Sequence, residues 1–211
     1  MSNLSLEKIY GVAVEIYEFV ILNILWMVCT LLGGIVLGWA PSTVALLTIL
    51  RDKIMKKENG SITKKFWKIY REEFKRINII AIVIMILSFM VYVNRSNFQV
   101  QSGAFYYGMY ILSTFGKWAI IAMTLILFPI YVNYNMSIKE YFIKSISIII
   151  MRPLVLICIA LWSWVAYSAF IMLPGVLPVL GIALFGYGIM AVSYQFFRRN
   201  EERLKKVIEE N

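Results

Sequence analysis

Residues 41–76 read PSTVALLTILRDKIMKKENGSITKKFWKIYREEFKR, a charged block between two apolar stretches. Ten of the 21 basic residues lie in it (Arg51, Lys53, Lys56, Lys57, Lys64, Lys65, Lys68, Arg71, Lys75, Arg76), against Asp52, Glu58, Glu72 and Glu73. Pro41 suits a first helical turn, and Val44, Leu46, Leu47, Ile49, Leu50 and Ile54 follow at helical spacing, so a helix is expected over about 41–57. Glu58-Asn59-Gly60-Ser61 is a turn signature. A second helix then carries Phe66, Tyr70, Phe74 and Ile77 on one stripe and Lys64, Lys65, Lys68, Arg71, Glu72 and Lys75 on the other. It runs without a breaker into the apolar stretch 77–93, so its charged half is expected outside the lipid and its apolar half inside.

The flanks set the class. Of 211 residues 61% are hydrophobic, with a mean hydropathy of +0.75, against the roughly 45–50% apolar usage of soluble domains. The reading is an all-α polytopic integral membrane protein, a single membrane domain with about five transmembrane helices and a cytoplasmic amphipathic hairpin over 41–76. The spans are expected at 19–40, 77–93, 110–133, 154–173 and 176–197. Residues 1–17 are weakly amphipathic, 94–105 read as an exposed loop, 137–151 as a second interfacial helix, and 198–211 as a charged helical tail. Gly34 and Gly38 form a GxxxG, read as close intramolecular packing. Placing Ser137 over Ser61 matches Ser, Ile, Phe and Lys and brings Arg152 over Arg76, a weak internal duplication of amphipathic helix plus span.

Basic residues fall in 51–76, 139–152 and after Arg198, which the positive-inside rule assigns to one cytoplasmic face. Five spans then put the N-terminus outside a bacterial cytoplasmic membrane and the C-terminus in the cytoplasm. The net charge of +9 lies beside spans rather than on a separable surface, so no nucleic-acid partner is expected.

Chemistry is excluded more than offered. Histidine is absent, which removes imidazole acid–base catalysis and the His-based nucleophile systems. No phosphate-binding GxxxxGK motif occurs. Cys29 and Cys158 lie singly in apolar spans, so neither metal nor disulfide is expected. No catalytic residue, cofactor or metal is assigned, and the chain is read as non-enzymatic. Glu72 is spaced to pair with Arg76, and Glu73 to meet Arg51 or Lys53. Asn23, Asn78 and Lys117 are polar insertions in spans; Lys117 is read as snorkelling beside Trp118. The partner-binding candidates are Arg51, Lys53, Phe66, Trp67, Tyr70, Arg71, Glu73 and Phe74.

Asn23-Ile-Leu-Trp26, the run Ala40-Pro41-Ser42-Thr43-Val44-Ala45-Leu46, and Phe66-Trp67 followed by Phe74 resemble the YesL family of small bacterial membrane proteins. The resemblance extends over roughly residues 10–200 and is strongest in the first 80. It implies multi-span proteins encoded near carbohydrate importers of the ATP-binding-cassette type and near glycan-degrading enzymes. An accessory role in sugar uptake follows, with the lipid bilayer and importer permease subunits as partners. The other reading is an independent small-solute transporter or channel built from the two repeated halves, with Asn23, Asn78 and Lys117 along its path. A membrane enzyme ranks third, since no acid or nucleophile advertises one.

Overall fold

A computed structural model describes residues 2–57 and 60–209, with side chains described except at 2–6, Leu177 and 200–209. Met1, Glu58 and Asn59 of the expected turn, and the last two residues of the tail lie outside the described residues. Among them there are seven α-helices: α1 Ser2–Leu32, α2 Trp39–Ile54, α3 Ile62–Val100, α4 Ala104–Asn133, α5 Ile138–Met151, α6 Pro153–Met172 and α7 Ile182–Glu209, with a π-helical turn Leu177–Gly181 before the last. Five stretches are long and apolar enough to cross a membrane: Glu7–Leu32, Ile62–Val100, Ala104–Asn133, Pro153–Met172 and Pro178–Arg199. Their outer faces are large apolar side chains such as Ile82, Ile86, Phe89, Leu112, Leu161 and Val165. So much contiguous apolar surface is suited to lipid and not to water. The chain is an all-α polytopic membrane protein.

Several boundaries differ from the sequence reading. The stretch 19–40 is not one span, because α1 ends at Leu32 in a Schellman turn: Ile35 N–H donates to Thr30 O and Gly34 N–H to Leu31 O, both at 2.9 Å. Gly34 takes φ +71°, the left-handed conformation that glycine adopts without a Cβ penalty. The two glycines of the GxxxG therefore do not share one helical face: Gly34 lies in the turn with open space around it, and Gly38 makes the close intramolecular approach. A Cβ on Gly38 would lie 2.3 Å from Thr30 O, and one on Gly33 would lie 2.4 Å from Gly38 Cα. These glycines let α2 fold back against the end of α1. At the far end α2 stops at Ile54 rather than 57, through a second turn of the same kind with Lys56 at φ +55°. The expected loop 94–105 is mostly helix, since nothing between Asn94 and Val100 breaks α3, and the chain turns only at 101–103.

Helix α2 is the largest correction. Ala40, Pro41, Ser42, Val44, Ala45, Leu46, Leu47, Ile49, Leu50 and Asp52 are all buried, so the first arm of the basic hairpin is interior. It packs against α1, α3, α4 and α7. At 16 residues it is about 24 Å long, short of the ~30 Å of hydrocarbon.

Its direction decides where the ends lie. Trp26 Nε1 donates to Thr43 Oγ1 at 3.0 Å and Lys53 Nζ to Glu18 Oε2 at 2.7 Å, so α2 runs antiparallel to α1. Phe19 meets Tyr187 edge-on at 5.5 Å, while Asn23, one turn further along α1, meets Ile182 on α7; these two helices are antiparallel as well. The described start of α1 and the end of α7 thus point to the same face. Five passes would separate them; the short reversal through α2 brings them together, so the expectation of termini on opposite sides does not fit this geometry.

Asn23 is fully buried and sits where α7 begins. Its Nδ2 donates to Pro178 O at 2.6 Å, and its Oδ1 accepts from the amides of Ile182 at 3.0 Å and Ala183 at 3.3 Å. The carboxamide is inserted between a carbonyl and an amide four residues apart, replacing the bond that the π-helical turn breaks. Asn23→Ala removes these three hydrogen bonds from an apolar interior, so it is expected to cost about 2 kcal/mol. A lowered thermal unfolding midpoint in detergent measures it, and an unchanged midpoint refutes the insertion.

The expected duplication survives only in outline. Ser61 starts α3, which continues unbroken into its span, whereas Ser137 caps α5, which stops at Met151 before Pro153 opens α6. The proline ring disfavours the helical conformation at Arg152, which adopts φ −137° and ψ 60°.

Candidate functional site at the base of the bundle

The end of α2, the start of α3 and the end of α4 meet at one end of the bundle, and three polar anchors join them. Buried Asp52 takes Lys65 Nζ at 2.6 Å and Arg51 Nη2 at 3.2 Å. Arg51 Nη1 also donates to Val132 O, tying α2 to the last turn of α4. Burial pushes the Asp52 carboxyl up, but the Lys65 hydrogen bond and the charges of Arg51 and Lys65 outweigh it and hold the carboxyl below its ordinary range.

The second anchor is Glu73, whose Oε2 accepts from Tyr131 Oη at 2.5 Å. The third is Arg76, which donates to Met136 O at 2.5 Å and lies over the rings of Tyr131 and Tyr141, at 5.5 and 5.8 Å from their centroids. Tyr141 Oη in turn donates to Tyr134 O and accepts from Met136 N–H. The segment 134–137 is pinned in this way. Ser137 and Glu140 close it with a capping box that holds the Glu140 carboxyl below its ordinary range.

With one side of the first half of α3 fastened, the other side is free. Lys64, Trp67, Lys68, Arg71, Glu72 and Lys75 are all exposed. Trp67 is 44% exposed and stacks on Tyr70 with centroids 5.6 Å apart and planes at 14°. A rigid aromatic shelf therefore stands among four cations, with Glu72 as the one acid, 4.0 Å from Lys68.

The partner-binding candidates divide on this geometry. Trp67 and Arg71 lie on the exposed face, while Phe66 at 0% and Tyr70 at 5% exposure are core residues and offer a partner nothing. Phe74 is half-buried against Tyr70. Arg51, Lys53 and Glu73 are half-buried, with their polar atoms engaged inside the chain. Two expected pairings are replaced: Glu73 meets Tyr131 rather than Arg51 or Lys53, and Arg76 turns to Met136 O, leaving Glu72 with Lys68. Asp52, Lys65, Tyr131 and Tyr141 were missed as participants. The one available signal was a lone acid at 52 following an apolar helical run.

Nor do the three polar residues of the spans form one path. Asn23 belongs to the α1–α7 contact, and Asn78 donates to Phe74 O of its own helix. Lys117 is exposed, with Nζ 5.1 Å from the Trp118 ring centroid. Its neighbour Gly116 packs at Val91, which is about 20 Å along α3 from Asn78.

The fold and this base define the class: a helical membrane protein with a short buried helix at its centre and a fixed basic face at one end. Within that class, residues 19–95 match the family model described as "Protein of unknown function, DUF624", the segment from α1 through α3. The chain is 27% identical over 195 residues to the "Uncharacterized protein YesV" of Bacillus subtilis (strain 168), covering 92% of this chain and 94% of that one. It is 26% identical over 192 residues to "Uncharacterized protein YteU" of the same organism, covering 89% and 84%. To "Uncharacterized protein YesL" it is 20% identical over 188 residues, covering 88% and 87%. No solved structure matches. These relatives support a YesL-like family, as the motifs around Trp26, Thr43 and Phe66 indicate. In the structure those motifs are where α1, α2 and α3 interlock, with Trp26 on Thr43 and Phe66 in the core.

Proposed function

We propose that the chain is a non-enzymatic accessory protein of the bacterial cytoplasmic membrane that presents the exposed face of α3 to a partner. The observation that carries this reading is the contrast across one helix. Asp52, Tyr131 and Met136 fix the inner side of α3, while Trp67 stands exposed among Lys64, Lys68, Arg71 and Lys75. Rigid aromatic anchors ringed by charge suit association, because little side-chain entropy is lost on docking. The excess of positive charge supports a cytoplasmic position for this end, and with it for both ends of the described chain. The family resemblance suggests importer permeases of the carbohydrate-uptake type as the partner, acting without cofactor or metal.

The test uses the full chain, tagged at its C-terminus and extracted from its own membranes in mild detergent. Permease subunits are expected to co-purify in near-equal amount, and Trp67→Ala with Lys68→Glu and Arg71→Glu is expected to lower their recovery at least tenfold at unchanged expression. A solitary particle under all extraction conditions refutes the accessory role. Full recovery with the triple variant moves the interface off α3.

A further inference from the structure

Between residues 77 and 138 the chain has no acidic residue and two basic ones, Arg95 and Lys117. Both line the same cavity, about 310 Å³, between the upper part of α3 and the first half of α4. Ser88 and Tyr92 add hydroxyls to its wall, and Val91 and Ile120 are apolar. Arg95 is held by one edge, Nη2 donating to Tyr110 Oη at 3.0 Å with the guanidinium 5.2 Å from that ring centroid. Its Nε is buried with no hydrogen-bond partner. Two cations share a cavity beside lipid whose lining holds no carboxylate to balance them, an arrangement that costs free energy unless an anion enters.

We propose that this groove binds one anionic phospholipid, its phosphate between Arg95 and Lys117 and an acyl chain along Val91 and Ile120. Charge complementarity selects a phosphate, since a guanidinium edge and an ammonium supply the charge-assisted donors it accepts. The apolar wall beside those cations matches a molecule with a tail and not a free ion. Trp118, 58% exposed next to Lys117, suits the headgroup level of a bilayer. Lys117 thereby has a role that neither simple snorkelling nor a solute path supplies, and this site is independent of the α3 face used by the proposed partner.

The purified full chain in detergent is titrated with phosphatidylglycerol, phosphatidylcholine or inorganic phosphate, with native mass spectrometry counting adducts and thermal unfolding reporting stabilisation. One phosphatidylglycerol per chain is expected, with Arg95→Gln plus Lys117→Gln weakening it roughly tenfold or more. Lys68→Gln plus Lys75→Gln, on the opposite end, is expected to change nothing. Equal binding of phosphatidylcholine, saturation by phosphate alone, or equal weakening by the control pair each overturns the proposal. Lys117→Gln alone alters an exposed side chain and gives the same readout should the double variant not fold.

Discussion

Gly38→Val leaves almost no folded protein in the membrane. The backbone of Thr30 is where a Cβ at residue 38 would have to go, at 2.3 Å from its carbonyl oxygen and 2.8 Å from its Cα. Backbone cannot rotate aside as a flexible side chain does, so the α1–α2 turn must open. Opening it unseats Trp26 from Thr43 and withdraws α2, whose Leu46, Ile49 and Leu50 fill the centre of the core. The overpacking cost of roughly 1–3 kcal/mol for extra methylenes is a lower limit here, because a whole helix loses its seat. Expression with a fluorescent reporter and size-exclusion chromatography measures the outcome, with Gly11→Val, in open space, as the comparison. A monodisperse Gly38→Val protein refutes the close approach.

Asp52→Asn destabilises the chain by about 3 kcal/mol, the loss expected when one member of a buried ionic cluster is removed and its partners remain. Arg51 and Lys65 lose their counter-charge, and Arg51 keeps only Val132 O. The pH dependence follows from the depressed carboxyl. Because the folded chain holds Asp52 below its ordinary pKa, near ~3.9 when unfolded, its stabilisation is complete above that value. It fades as pH falls through the lower native one. Thermal midpoints in detergent between pH 7 and pH 3 are therefore expected to converge for wild type and Asp52→Asn at the acid end. A constant gap across that range excludes Asp52 as its source.

Much of the architecture is legible from local pattern. A run such as 77–93 has no charge to expel it from lipid, and the backbone there must bond to itself, so helix and span follow together. Ser137 with Glu140 is readable for the same reason, since a capping box lies within four residues. Lys117 beside Trp118 is readable as adjacent residues on one helix. The candidate face was half legible: the period of 3.6 separates Phe66 and Tyr70 from Lys64, Lys68 and Arg71. The anchors of that face were not, because Glu73 pairs with a residue 58 positions away and Arg76 with one 60 away.

Helix α2 shows the limit most plainly. Its apolar residues look alike whether they face lipid, headgroups or other helices, so hydropathy places it beside the basic residues that follow and misses that it is the core. Asn23 is a similar case, an isolated amide whose meaning appears only when Pro178 and Ile182 arrive beside it. Hydrophobic length and charge, summed over neighbouring residues, suffice for an all-α membrane protein with five long apolar helices and a basic end. How α1, α2 and α7 run relative to one another, which helix is buried and which cations remain exposed depend on contacts between distant segments, and those are settled by packing: a glycine turn that admits α2, and polar groups that must find partners where no water reaches them.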